Sequence, residues 1–224
     1  MLTGSATDAN NDGLTYCWEG TNIGTSTPNS STLNDVSKPP FFRSYDAVTT
    51  GTRIYPRLET ILDQSYQGKG DKLPSVATTT THQLTVRDNR PGGGSTVHAG
   101  VTVTIDGNSG PFFVYNVSSS FAPNASVNVS WEVAGTTAAP VSCPNVNILL
   151  STDDGYNFPT TLAANTPNDG SQTITLPNIN TTTARIKVQS SNNIFFDITN
   201  QFQIQGTILP VELLNFEVQL KNRH

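Results

Sequence analysis

Val127-Asn128-Val129-Ser130-Trp131-Glu132-Val133 alternates apolar and polar residues without a break, which places Val127, Val129, Trp131 and Val133 on one side of an extended chain. A helix would scatter these four around its circumference, whereas a strand aligns them against a core. Comparable stretches follow at turn-punctuated intervals: Asn145-Val146-Asn147-Ile148-Leu149-Leu150, a turn at Asp153-Asp154-Gly155, Gln172-Thr173-Ile174-Thr175-Leu176, Ala184-Arg185-Ile186-Lys187-Val188 and Gln201-Phe202-Gln203-Ile204. Short strands at this spacing, with one Trp set to be buried, predict an immunoglobulin-like sandwich over residues 111–206.

Composition extends the all-β reading to the rest of the chain. Hydrophobic residues are 35% and charged residues 13% of 224, both below the usual shares. Thr, Ser and Asn fill the difference. β-Branched Thr loses rotamer freedom in a helix, and Ser and Asn compete for backbone hydrogen bonds there. The net charge is −5 and the basic residues are scattered, so the clustered cations that grip phosphate are missing and nucleic acid is not an expected partner. No apolar run approaches the roughly 20 residues of a membrane helix. The start lacks the basic and apolar regions of a signal peptide and reads as an initiator set on a fragment of something longer.

The first half is less regular. Leu14-Thr15-Tyr16-Cys17-Trp18, His82-Gln83-Leu84-Thr85-Val86 and Val101-Thr102-Val103-Thr104-Ile105 alternate like strands. Between the first two runs lies a long stretch, residues 20–81, with several prolines and one short helical possibility at 57–62. Residues 1–107 therefore read as a second sandwich carrying a large irregular insertion, joined to the next by Asp106-Gly107-Asn108-Ser109-Gly110. The expected fold is two sandwiches in tandem, with an apolar further strand or extended tail over 207–224.

Chemistry-bearing patterns are sparse. His82, His98 and His224 fall in no metal-ligand spacing, so no zinc site is expected. No Gly-x-Ser-x-Gly elbow occurs, and Gly92-Gly93-Gly94 lacks the residues of a phosphate loop. The prediction is a region without an active site. Cys17 and Cys143 could bridge the two halves or remain buried thiols, the latter being the commoner use of an isolated pair.

Asp8-Ala9-Asn10-Asn11-Asp12-Gly13 offers oxygen ligands at alternate positions before a glycine, the front half of a calcium loop. Glu19 even stands at the twelfth position, but the residues between read as a strand and not as the helix an EF-hand needs. The candidate calcium ligands are Asp8, Asn10 and Asp12, with Asp88 from the strand that ends nearby. The competing reading is a hairpin turn whose side chains satisfy local backbone groups. Ser151-Thr152-Asp153-Asp154-Gly155-Tyr156-Asn157-Phe158 resembles an Asp-box, a hairpin in which the Asp binds turn amides. Within the insertion, Phe42, Tyr45 and Tyr55 are candidates for a sugar-stacking platform, against the commoner role of anchoring a loop.

Several longer motifs carry a resemblance. Leu2-Thr3-Gly4-Ser5-Ala6-Thr7-Asp8, Leu14-Thr15-Tyr16-Cys17-Trp18-Glu19 and Leu84-Thr85-Val86-Arg87-Asp88-Asn89-Arg90 look like the cadherin- or PKD-like module that follows the catalytic domain in reprolysin-like zinc metallopeptidases of bacteria using type IX secretion. Trp131-Glu132-Val133-Ala134-Gly135-Thr136 and Val146-Asn147-Ile148-Leu149-Leu150-Ser151-Thr152-Asp153 look like the sandwich that comes next. Leu209-Pro210-Val211-Glu212-Leu213 is similar to the lead-in to a C-terminal sorting domain. The zinc-binding helix is absent, the module's first strand looks cut off before Leu2, and the sorting domain does not follow.

The resemblance thus implies a secreted or cell-surface location and a non-catalytic accessory or spacer role beside the catalytic domain of the same polypeptide, with calcium as a candidate stiffener. The alternative is an adhesive module for extracellular polysaccharide or protein.

Overall fold

The computed structural model describes residues 1–24, 35–68 and 70–206. The expected tail at 207–224 lies outside them. Strands dominate throughout. The first half runs β1 (Leu2–Thr3), β2 (Leu14–Gly20), β3 (Thr52–Arg53), helix α1 (Leu58–Leu62), β4 (Gln67–Gly68), β5 (Asp71–Lys72), β6 (Thr78–Asp88) and β7 (Thr96–Ile105). The second runs β8 (Phe113–Val114), β9 (Ser120–Phe121), β10 (Ser126–Glu132), β11 (Asn145–Ser151), β12 (Thr160–Pro167), β13 (Ser171–Thr175), β14 (Thr181–Ser190), β15 (Phe196–Ile198) and β16 (Phe202–Ile204).

In the second half the alternating run that begins at Val127 becomes β10, the middle strand of a β13-β10-β8 sheet. Val127, Val129 and Trp131 are all buried, while the residues between them are exposed or half-buried. They face a second sheet ordered β12-β11-β14-β16-β9, with β15 paired to β14. Val146, Ile148 and Leu150 of β11, Ala184, Ile186 and Val188 of β14, and Phe202 and Ile204 of β16 complete one continuous core. Two packed sheets with inward-facing alternate residues make a β-sandwich. At its edge, the Trp131 indole N–H donates to Asn168 Oδ1 (2.8 Å), and the Asn168 amide donates to Thr136 Oγ1 (2.9 Å) and the Cys143 carbonyl (3.0 Å). A buried indole is thereby satisfied, which is what allows Trp in a core.

Strand β12 escapes sequence reading for a visible reason. Its Thr-Thr-Leu-Ala-Ala-Asn-Thr-Pro is mostly solvent-facing, and its register against β11 shifts twice, between Val146 and Ile148 and between Ile148 and Leu149. Bulged edge strands lose the period-2 signal.

The first half is a smaller construction. Strands β2, β6 and β7 form a three-stranded antiparallel sheet. The β1-β3 ribbon lies over one face, where Leu2 packs with Trp18, Leu84 and Val86. Gly4 sits so close to Leu84 that a Cβ there would stand 2.3 Å from Leu84 Cδ2, and one on Gly51 would stand 1.8 Å from the Gly4 carbonyl oxygen. The Trp18 indole N–H donates to the Gly51 carbonyl (2.8 Å), which fastens ribbon to sheet. Both cysteines are free. Cys143 is buried as expected, but Cys17 is only partly so, on the sheet face opposite the apolar cluster, donating to the Tyr45 carbonyl (3.4 Å). Among the described residues, no helix is long and apolar enough to cross a membrane.

Candidate functional site

The acidic loop lies between β1 and β2. These strands pair with β3 and β6 and not with each other, so Asp8–Gly13 is a crossing between layers and not a hairpin, although Asp8 does satisfy local backbone N–H groups as the competing reading expects. The register Leu14↔Asp88 sets the end of β6 beside the start of β2. One ligand atom each from Asp8, Asp12 and Asp88 then falls within 4.8 Å of the others.

Local bonds aim these carboxylates. Asp8 Oδ1 accepts from the backbone N–H of Asn10 and of Asp12, both at 2.9 Å. Asp88 Oδ1 accepts from Arg90 N–H (2.8 Å), and the Asn89 amide ties down the Gly13 carbonyl (2.8 Å). Asp12 Oδ2 is sheltered from solvent and has no hydrogen-bond partner. Partial desolvation, reinforced by the Asp88 and Asp8 charges, raises the Asp12 pKa above the usual carboxylate value. Three carboxylates, with the sheltered Asp12 Oδ2 unbonded, form a hard-oxygen donor set of the kind that could hold calcium. Asn10 stands in the same turn but is exposed, and it gives its backbone N–H to Asp8. Glu19 is elsewhere. It lies five residues beyond Leu14 on an extended strand, roughly 17 Å away, where it accepts from the Ser44 hydroxyl (3.0 Å).

The aromatic candidates separate. Phe42 is only 8% exposed, so it is no open platform. Its ring meets Tyr55 edge-on (4.7 Å between centroids) and His82 (5.5 Å), with Tyr55 and His82 themselves 4.8 Å apart. Burial pushes the Tyr55 hydroxyl far above its ordinary pKa. His82 accepts or donates through Nε2 to Thr80 Oγ1 (2.9 Å), and burial, with Arg53 nearby, drops its pKa to about 4. Tyr45 is half-exposed and ringed by cations: the guanidinium carbons of Arg43, Arg53 and Arg57 lie 5.3, 4.9 and 4.7 Å from its centroid. Asp71, fully buried, anchors this group by accepting from Arg57 N–H (2.8 Å) and standing 3.6 Å from Arg53 Nη2. Burial outweighs those partners and raises the Asp71 pKa. Arg53 also donates to the Trp18 carbonyl, linking the loop to the sheet.

The Asp-box-like hairpin joins β11 to β12. Asp153 Oδ1 accepts from the Asn157 N–H (2.9 Å) and the Ser151 hydroxyl (2.7 Å), and Gly155 N–H donates to Ser151 Oγ (2.8 Å). The Asn157 side-chain amide also donates to Asp153 Oδ2 (2.7 Å), and this bond first, then the Asn157 N–H and the Ser151 hydroxyl, holds the Asp153 pKa below its usual value.

What the sequence does not announce is the use made of the 20–81 stretch. Its helix α1 docks on the second half. Arg185 of β14, almost wholly buried, donates to the Leu62 carbonyl (2.9 Å) and the Thr199 carbonyl (3.2 Å) and pairs with Asp154 (2.7 Å). Leu62 packs so tightly on Gly155 that a Cβ there would come within 2.5 Å of Leu62 Cδ2. Gln64 and Asn116 exchange amide hydrogen bonds at 2.7 and 3.1 Å. The Tyr66 hydroxyl donates to Asp197 Oδ2 (3.3 Å), which also accepts from Val114 N–H (2.8 Å). Arg185 lies between Ala184 and Ile186 on a strand that also carries Lys187, so the sequence pattern does not single it out, although a buried guanidinium must find acceptors.

Neither a protein-family model nor a curated protein matches the chain.

Proposed function

We propose that the chain is a non-catalytic spacer of an extracellular protein, two β-sheet units locked in fixed relation, with calcium stiffening the first. The observation that carries the reading is the joint. Arg185, Gln64, Tyr66 and the packing of Leu62 on Gly155 bind the long loop of the first half to the second. A tether of five linker residues alone would leave the halves free to swing. Shifted groups support the same reading, because His82, Asp71 and Asp197 are each engaged by neighbours that hold the fold.

The calcium part rests on Asp8, Asp12 and Asp88 and on the unbonded Asp12 Oδ2. The parent in this reading is a secreted metallopeptidase of the reprolysin-like kind, on the strength of the sequence resemblance alone. Burial of Phe42 and the mutual packing of Tyr55 and His82 favour an anchoring role for the aromatic group over glycan adhesion.

Two measurements test it. Adding calcium should raise the melting temperature through linkage, by up to about 2.7 kcal/mol of stability at a hundredfold excess over the dissociation constant. Asp12→Asn with Asp88→Asn should abolish that rise, and an unresponsive wild type sinks the calcium site. Small-angle scattering should return one fixed separation of the halves at low and high salt. A broad distribution of separations would remove the spacer reading. The coding sequence upstream tests the parentage, where a His-Glu-x-x-His segment is expected.

A further inference from the structure

Among the described residues, strand β7 is an edge with nothing laid against it. It pairs with β6 in an unbroken register over ten residue pairs, Thr78↔Ile105 to Arg87↔Thr96. On one flank of β6, Asp88 N–H donates to the Ser95 carbonyl (3.0 Å), and on the other Thr21 N–H donates to the Thr81 carbonyl (2.9 Å). Even-numbered residues of β6 therefore turn their backbone groups to β7, and odd-numbered ones to β2. The partners of the even set on β7 are odd-numbered. It follows that Thr96, His98, Gly100, Thr102 and Thr104 aim their N–H and C=O groups away from the sheet. Among the described residues no hydrogen bond reaches these groups. The opposite edge differs: there Tyr16 of β2 exchanges bonds of 2.7 and 2.9 Å with Val48.

The side chains repeat the message. Val97, Ala99, Val101 and Val103 stand opposite Val86, Leu84, His82 and Thr80, all buried. The β1-β3 ribbon that covers those partners stops short of β7, leaving Val97 56% and Val101 38% exposed. Natural edges of this length are blunted by Lys, Pro, bulges or a covering loop. Thr96-Val97-His98-Ala99-Gly100-Val101-Thr102-Val103-Thr104-Ile105 contains no acidic residue, lysine, arginine or proline.

We propose that β7 pairs, antiparallel and edge to edge, with β7 of a second copy of this chain, continuing the three-stranded sheets across a two-fold axis. The strand is self-complementary, which a two-fold contact demands. An axis at Gly100 sets Gly100 against its own counterpart, His98 against Thr102 and Thr96 against Thr104, so that each outward-facing residue meets another. The same register sets Val97 against Val103 and Ala99 against Val101 on the uncovered face. A shift of one residue along one strand would oppose apolar to polar side chains and misalign the outward groups. No lysine, arginine or carboxylate sits in the strand to repel its counterpart.

Sedimentation equilibrium of the whole chain tests this, with two variants that spare the fold. Thr102→Pro removes an N–H that β6 does not use, which an edge strand tolerates. Val97→Lys changes an already exposed side chain. Wild type should show a concentration-dependent monomer–dimer equilibrium, and each variant should weaken it roughly tenfold or more while its melting temperature in dilute solution stays that of wild type. Hydrogen exchange at Thr96, His98, Gly100, Thr102 and Thr104 should slow as wild-type concentration rises. A wild type that stays monomeric at high concentration overturns the proposal, as do variants that dimerise like wild type. Slow exchange at those amides in a dilute monomer also overturns it, since the edge would then be covered from within the chain.

Discussion

The two halves of the molecule reach order by different means. The second interleaves Val129, Trp131, Ile148, Leu150, Ile186, Val188 and Phe202 in one dry core between two sheets. The first has four buried members in its cluster, Leu2, Trp18, Leu84 and Val86, and leans on polar fixtures: Arg53 on the Trp18 carbonyl, buried Asp71, and His82 wedged between aromatic rings. A small apolar core leaves conformational entropy to be offset by directional bonds. Such bonds depend on protonation in a way that dispersion and burial do not.

The largest expected effect attacks the stronger half. Trp131→Ala should cost about 4 kcal/mol by urea unfolding, because it opens a cavity and strands Asn168. A loss below about 1 kcal/mol would show that the core tolerates collapse there.

Next comes acidification, which should expose the weaker half. His82 has an ordinary pKa of 6.5 and a folded value of about 4. The unfolded chain therefore binds the proton more tightly, so His82 imposes no penalty above pH 6.5 and an increasing one as pH falls towards 4. The full loss is about 3 kcal/mol. Unfolding between pH 7 and 4 should show this slope in wild type and not in His82→Gln. An equal slope in both would assign it to carboxylates.

Arg185→Met should act between the halves. It keeps the stem's packing, removes the donor to Leu62 and Thr199, and should cost about 2 kcal/mol. Calorimetry is expected to show one transition dividing into two, with the first half melting earlier. A single transition at a lower temperature would mean that the remaining contacts are enough to couple them.

Much of the second half was legible beforehand because its strands are half-buried and alternate. The same rule explains its gaps, since β12 is largely solvent-facing and bulged, and β8, β9 and β15 are only two or three residues long, too short to show a period. In the first half the pattern found β2, β6 and the end of β7, while α1 at Leu58–Leu62 matched a short apolar repeat. The acidic loop was visible as Asp8, Asn10 and Asp12, and its closeness to Asp88 follows from strand pairing. The fate of Phe42, Tyr45 and Tyr55 was not visible, since an aromatic ring in a loop looks the same whether it meets a ligand or His82.

Sequence alone determined the period-2 pattern, the turns and hence the all-β fold, because alternation and β-branching act between neighbours along the chain. Only the tertiary structure decided how α1 meets the second half, why Arg185 is buried, and that β7 has no further neighbour among the described residues. Those outcomes depend on which distant surfaces meet. Contacts such as Arg185 to Leu62 join residues 123 positions apart, a separation over which no local pattern carries information.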